Sequence, residues 1–165
     1  MPQCAMKRLA ILPILSLSCV CLSSTAEEIL TKRYRDYNTS ILKGDSKRME
    51  TWLKSFCDSK LTYTSFHKNK FGRDNYISGV LAQIAKTNQV LKSTTTVRSF
   101  KKTSDSIVAT VASDFKGVVV FDSRKLTLTD QSVTFETWIR AGRDWKLQKI
   151  VQVNADTQMK QDGED

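Results

Sequence analysis

The chain has 165 residues, with 26 lysines and arginines against 17 acidic side chains, a formal charge of +9. That length suits one domain able to bury its own core without a disulfide framework. A single histidine and four cysteines, three of them within the first 21 residues, leave too few soft ligands for a histidine–cysteine metal centre, and the carboxylates form no cluster that could replace them. The basic residues occur as scattered pairs such as Lys47-Arg48, Lys101-Lys102 and Arg124-Lys125 rather than as an aromatic-interleaved stripe, a pattern that argues against nucleic acid and for loose contact with anionic envelope surfaces.

Residues 1–26 read as a secretory signal peptide. Lys7 and Arg8 precede an uncharged, mainly apolar run from Leu9 to Leu22, and Ser24 and Ala26 stand at the small positions before a cut. The alternatives are a retained anchor, for which the run is short against the roughly 20 residues of a spanning helix, and lipid attachment at Cys19 or Cys21, which lacks the usual leucine three residues earlier. Cleavage leaves a charge of +7 and one cysteine, Cys57, expected as a small core hydrophobe.

From Glu27 to Lys43, Leu30, Tyr34, Tyr37 and Ile41 fall on one face of a helix, which Gly44 ends. Asp45 can cap a second helix from Ser46 to Cys57, whose stripe is Met49, Trp52, Leu53 and Phe56. Leu61 to Phe66 has the alternation of a short strand, and His67 to Lys70 reads as a polar loop. Asp74 or Asn75 can cap a third helix that carries Ile77, Val80, Leu81 and Ile84 up to about Lys86.

After Asn88 the chain is β-like. Thr94 to Lys102 is one strand, and Ser104-Asp105 turns it into a second in which Ile107, Ala109, Val111 and Phe115 share a face. Lys116-Gly117 is expected to break that strand, Val118 to Phe121 to continue it, and Asp122 to Gln131 to be a loop or a short pairing. A final hairpin joins Ser132–Arg140 to Trp145–Val153 through Ala141 to Asp144. Alternation groups Val133, Phe135, Thr137 and Ile139 on one face, and Trp145, Leu147, Val151 and Val153 on the facing run, with Lys149 as an interruption. It sets Trp138 on the opposite side, where exposure would mark an interface. The last segment, 156–165, reads as a disordered tail, so the folded domain is expected over 27–155.

The element order predicts an α+β domain: three N-terminal helices packed on a curved antiparallel sheet. Together with Leu42-Lys43-Gly44-Asp45, Phe71-Gly72-Arg73-Asp74 and Ala141-Gly142-Arg143-Asp144-Trp145-Lys146-Leu147, it resembles the nuclear-transport-factor-2-like (NTF2-like) superfamily, in particular its SnoaL-like and ketosteroid-isomerase-like members. The resemblance implies a cone with a pocket open at one end, used by members for isomerisation, dehydration, binding of small apolar molecules or association, often as dimers through the outer sheet face.

In the steroid isomerases a helix-one tyrosine lies eight residues before the aspartate of the Gly-Asp pair, and Tyr37 stands at that distance from Asp45. The same chemistry needs a carboxylate base in the first strand, where Tyr63 to Phe66 offer none, and a second acid in a later strand, where Asp114 alternates to the outside. No catalytic set is therefore recognised. The expectation is an exported domain without cofactor or metal that binds a small apolar molecule, through Tyr37, Trp52, Tyr63, His67 and Lys149 as candidate contacts, or that associates as a homodimer. An isomerase or dehydratase of the SnoaL-like kind and a subunit of an envelope assembly are the alternatives. Two readings stay open for Tyr37, core or pocket hydroxyl, for His67, pocket mouth or solvent, and for Lys149, into the cone or out along the sheet.

Overall fold

A computed structural model of the protein describes residues 25–161. The expected leader lies outside the described residues except for Thr25 and Ala26, and these two open the first helix. Helix α1 (Ala26–Leu42) starts on a capping box: the Glu28 backbone N–H donates to Thr25 Oγ1 at 3.3 Å, and the Thr25 N–H donates to Glu28 Oε2 at 2.8 Å. Gly44, at φ +64°, breaks the chain, and the Arg48 N–H donates to Asp45 Oδ1 at 2.9 Å to cap α2 (Ser46–Phe56). Both helices bury the predicted stripes: Leu30, Met49 and Leu53 are fully buried, while Tyr37 and Trp52 stay partly open. Among the described residues no helix is long and apolar enough to cross a membrane.

Strand β1 (Cys57–Thr64) follows α2 without a loop, four residues earlier than expected. Its pairing slips between Cys57 and Thr62, and Asp58 Oδ1 accepts from the Lys60 N–H at 2.8 Å there, so a bulge hides the strand's period from a reading of alternation. The expected polar loop is a tight turn whose far side forms β2 (Lys70–Gly72), antiparallel to β1. Helix α3 (Arg73–Lys86) is capped by Gly72 without a side-chain bond. Asp74 and Asn75, read as caps, lie inside its first turn, where the Asp74 charge favours the helix N-terminus.

Four long strands complete the molecule: β3 (Thr87–Lys102), β4 (Ser106–Phe121), β5 (Arg124–Ala141) and β6 (Asp144–Gln161). The curved, unclosed sheet has the order β2-β1-β6-β5-β4-β3 and is antiparallel except where β1 runs parallel to β6, a non-local pairing that the expected all-antiparallel sheet did not include. Lys116-Gly117 does not interrupt it, and of Asp122 to Gln131, expected as a loop or a short pairing, Arg124 to Gln131 pair with β4. Asp122 and Ser123, at φ 48° and 64°, form a two-residue turn of the type that suits the strand twist, so β4 and β5 pair unbroken from Ser106↔Ile139 to Phe121↔Arg124. The expected tail is likewise strand as far as Gln161, paired with Leu126.

Against this regular central pair, the flanking strands carry the irregularities. The register skips one residue of β3 at Asn88, Leu91 and Arg98, and one of β6 at Gln148 and Val153. Two consequences correct the predicted faces. Trp145 and Leu147 are buried as expected, but the bulge at Gln148 sends Ile150 inward in place of Val151. The two-residue turn Gly142-Arg143 pairs Trp138 with Leu147, so the buried face of β5 holds Thr134, Glu136 and Trp138 rather than Phe135. Trp138 is fully buried, 5.6 Å from the Phe56 ring and edge-on to Tyr34 at 6.3 Å, and Phe135 is 48% exposed on the outer face.

Candidate ligand-binding site

A cavity of about 400 Å³ lies between the helices and the concave face of the sheet. One wall is aromatic. Tyr37 from α1 lies 5.3 Å from Trp52 of α2, which packs 4.2 Å from Phe56 one turn on; these meet because residues at i and i+4 share a helix face. Across the opening Tyr63 of β1 lies 5.5 Å from Tyr76 of α3 and 5.9 Å from Phe71 of β2.

The opposite wall is polar. Asp130, Ser132, Thr134 and Glu136 follow one another along β5 at the period of two that brings alternate side chains to one face. Gln152 of β6 joins them and is held in place: its Oε1 accepts from the Tyr63 hydroxyl at 2.9 Å and from the Phe66 N–H at 3.1 Å. Thr95 and Ser113, 3.2 Å apart, extend the polar side onto β3 and β4.

Glu136 is the site's most constrained group, 6% exposed. Its Oε2 accepts from the Tyr34 hydroxyl and from Trp138 Nε1 at 3.0 Å, and its Oε1 accepts from Thr134 Oγ1 at 3.3 Å. Burial disfavours the carboxylate and outweighs these three donors, which pushes its pKa up from 4.5 to about 7. Burial first, and the Glu136 charge second, hold the Tyr34 and Tyr37 hydroxyls well above their ordinary range. Tyr76 is raised mainly by burial, and Tyr63 by burial and then Asp130. Arg33 lies 5.4 Å from the Trp138 ring centre but spends its guanidinium on Asp144 and on the Trp145 carbonyl at 2.5 Å.

Among the described residues, the charged side chains that line the cavity are Asp114, Asp130 and Glu136, with no lysine, arginine or histidine. Asp114, expected on the outside, lines the cavity but is taken up in an ion pair with Lys92, and Asp130 Oδ1 accepts from Thr157 Oγ1 at 2.5 Å. No three metal-ligating side chains gather among the described residues. Cys57 is a buried thiol that burial pushes up to about 12, which keeps it unreactive as a nucleophile.

Of the five residues singled out from sequence, the structure brings together Tyr37, Trp52 and Tyr63 at the cavity. His67 sits in the exposed β1–β2 turn, edge-on to Phe66. Lys149 is exposed on the outer face opposite Thr137, because the bulge beside it gives the inward position to Ile150. Sequence reasoning missed Glu136, Asp130, Gln152 and Tyr76. The signal for Glu136 was the length of the last turn: with two central residues, inward Trp145 and Leu147 require inward Trp138 and, two residues back, Glu136.

No family model matches the chain, and no curated protein matches it. Solved structures do. A conserved protein from Planctomyces limnophilus matches at TM-score 0.60 and 14% identity, over 78% of this chain and 96% of that one. An NTF2-like superfamily protein from Salmonella enterica matches at 0.58 and 15%, over 76% and 88%. A third, from Streptomyces avermitilis, of the NTF2-like family and with a suggested dehydratase role, matches at 0.56 and 14%, over 74% and 91%. The chain therefore has the NTF2-like fold, as the order of its elements predicts.

Proposed function

We propose that this chain is an exported domain whose cone binds one small molecule with an apolar body and a polar end. The observation that carries this reading is a cavity of about 400 Å³ with aromatic rings on one side and a strand of polar side chains on the other. That volume falls in the range of small-molecule sites, which combine apolar walls with a few placed polar groups. Gly79 of α3 supplies the test. It lines the cavity, and a Cβ built on it meets no atom within 4 Å, so a large side chain can be added at the cavity wall there without displacing the core. Native mass spectrometry of protein exported by its own leader is expected to show a discrete bound mass that Gly79→Trp abolishes. A wild type that is empty, and whose melting temperature no small amphiphile raises, overturns the reading.

A second reading is supported by Glu136 and by the dehydratase role suggested for one structural neighbour. A carboxyl that titrates near neutrality, with the Tyr34 hydroxyl as hydrogen-bond donor, is suited to accept and return a proton. Turnover of a bound molecule that Glu136→Gln abolishes while binding persists would favour it. We also propose a homodimer through the outer sheet face, where Phe135 and Val108 stand 48% and 47% exposed. Sedimentation velocity is expected to give a dimer for the wild type and a monomer for Phe135→Lys; a monomeric wild type overturns it.

A further inference from the structure

We infer that the molecule the cone takes is a cation: a small organic ammonium with an apolar body, held between the aromatic wall and the carboxylates of Asp130 and Glu136. This rests on the cavity being a binding site and adds the charge of its occupant.

The argument begins with sign. Basic residues outnumber acidic ones 26 to 17 in the chain, yet every charged side chain that lines the cavity among the described residues is acidic. An anionic guest would find two carboxylates and no cation to offset them, a costly arrangement in a partly desolvated space. A neutral guest would leave them as they are.

The second step is what Glu136 lacks. Three neutral groups donate to it, but among the described residues no ion pair reaches it, and Arg33, which lies over the neighbouring Trp138 ring, is bound to Asp144. A buried carboxylate is ordinarily paired, and here burial without a cation raises its pKa to about 7. An ammonium brought by the ligand supplies the missing charge.

Third, the opposite wall is suited to a cation. Tyr37, Trp52, Tyr63 and Tyr76 present π-systems whose faces attract ammonium groups, Trp most strongly. Burial keeps the three tyrosine hydroxyls neutral, so the rings keep their donor character and add no competing negative charge. Asp130 lines the same cavity from the sheet side, on the strand that also carries Glu136.

The test is a matched series on one phenyl body: 2-phenylethylammonium, 2-phenylethanol and phenylacetate, titrated calorimetrically at about pH 8, above the Glu136 titration. The ammonium is expected to bind at least about tenfold more tightly than either of the others, the scale of one desolvated ion–carboxylate or cation–π contact. Asp130→Asn and Glu136→Gln, each checked for native circular dichroism, are expected to shrink that preference severalfold, and Gly79→Trp to abolish binding of all three. If the alcohol or the carboxylate binds as well as the ammonium, the charge assignment fails while the cavity stands as a binding site. If none of the three binds to the wild type, the assignment fails together with the binding reading. A preference that survives in both carboxamide variants would also overturn it, because the attraction would then lie elsewhere.

Discussion

Replacing Glu136 by Gln isolates the titration of one buried group. Folding moves the Glu136 pKa from its ordinary 4.5 to about 7, chiefly because burial disfavours the charge, with donors from Tyr34, Trp138 and Thr134 acting the other way. The fold thus prefers the protonated acid. Its contribution is fully present below about pH 4.5, is lost as pH rises to about 7, and is constant above. At roughly 1.4 kcal/mol for each pKa unit the loss is about 3 kcal/mol. Gln keeps the shape: its oxygen can accept from Tyr34 and Trp138, and its amide can donate to the Thr134 hydroxyl. The neighbouring hydroxyls and thiol common to both proteins do not move in this range, since burial raises Tyr34, Tyr37 and Tyr76 and pushes Cys57 up to about 12. Urea unfolding followed by tryptophan fluorescence between about pH 4 and 8.5 gives the difference between wild type and Glu136→Gln directly. It should turn against the wild type by about 3 kcal/mol between pH 4.5 and 7 and then level off. A flat difference would mean that the three hydrogen bonds offset burial, and one that favours the wild type as pH rises that they outweigh it; either result refutes the reasoning.

Leu53 of α2 is fully buried, so Leu53→Ala should cost about 2–5 kcal/mol in urea unfolding, and a cost under about 1 kcal/mol would show that the core around α2 is not tightly packed there. Gly117→Ala should destabilise by about 1–3 kcal/mol although the backbone is ordinary, because its Cβ would stand 2.7 Å from Thr87 Cγ2 and 3.2 Å from the Gln89 carbonyl; an unchanged melting temperature would refute that close approach of β3 to β4. Thr25→Ala removes half of the α1 capping box and should cost about 1 kcal/mol in a chain that retains Thr25, while the same change should be silent in exported protein cut after Ala26.

Much of the molecule was legible because its periods are local. Residues three and four apart set the buried stripes of α1 and α2, and Asp45 after Gly44 is a complete stop-and-start signal. Strand β4 was read correctly at Ile107, Ala109, Val111 and Phe115 because its alternation runs without a bulge against β5. What failed depends on partners distant in sequence. The parallel pairing of β1 with β6 and the β2 edge have no local signature, and Asp122-Ser123 carries no glycine to announce a tight turn. The site suffered most, since Glu136 occupies the face that looks less apolar than the one holding Val133, Phe135 and Ile139. Counting apolar residues chose the wrong face; following the register across the Gly142-Arg143 turn from Trp145 would have chosen the right one.

The positions where alternation failed are also those that shape the cavity. The regular β4–β5 ladder is flanked by strands with extra residues, at Asn88, Leu91 and Arg98 in β3 and at Gln148 and Val153 in β6. Bulges bend and twist the strand that carries them, and their placement in β3 and β6, the strands that flank the central pair, curls the sheet towards the helices. In β6 they also keep Leu147, Ile150 and Gln152 inward along one strand, core at one end and the polar contact to Tyr63 at the other. A sheet of the same residues without those insertions would read more cleanly from sequence and would bend less around α1, leaving less room between the aromatic wall and the carboxylates. In this chain the irregular register is therefore the physical link between the sequence and the candidate site.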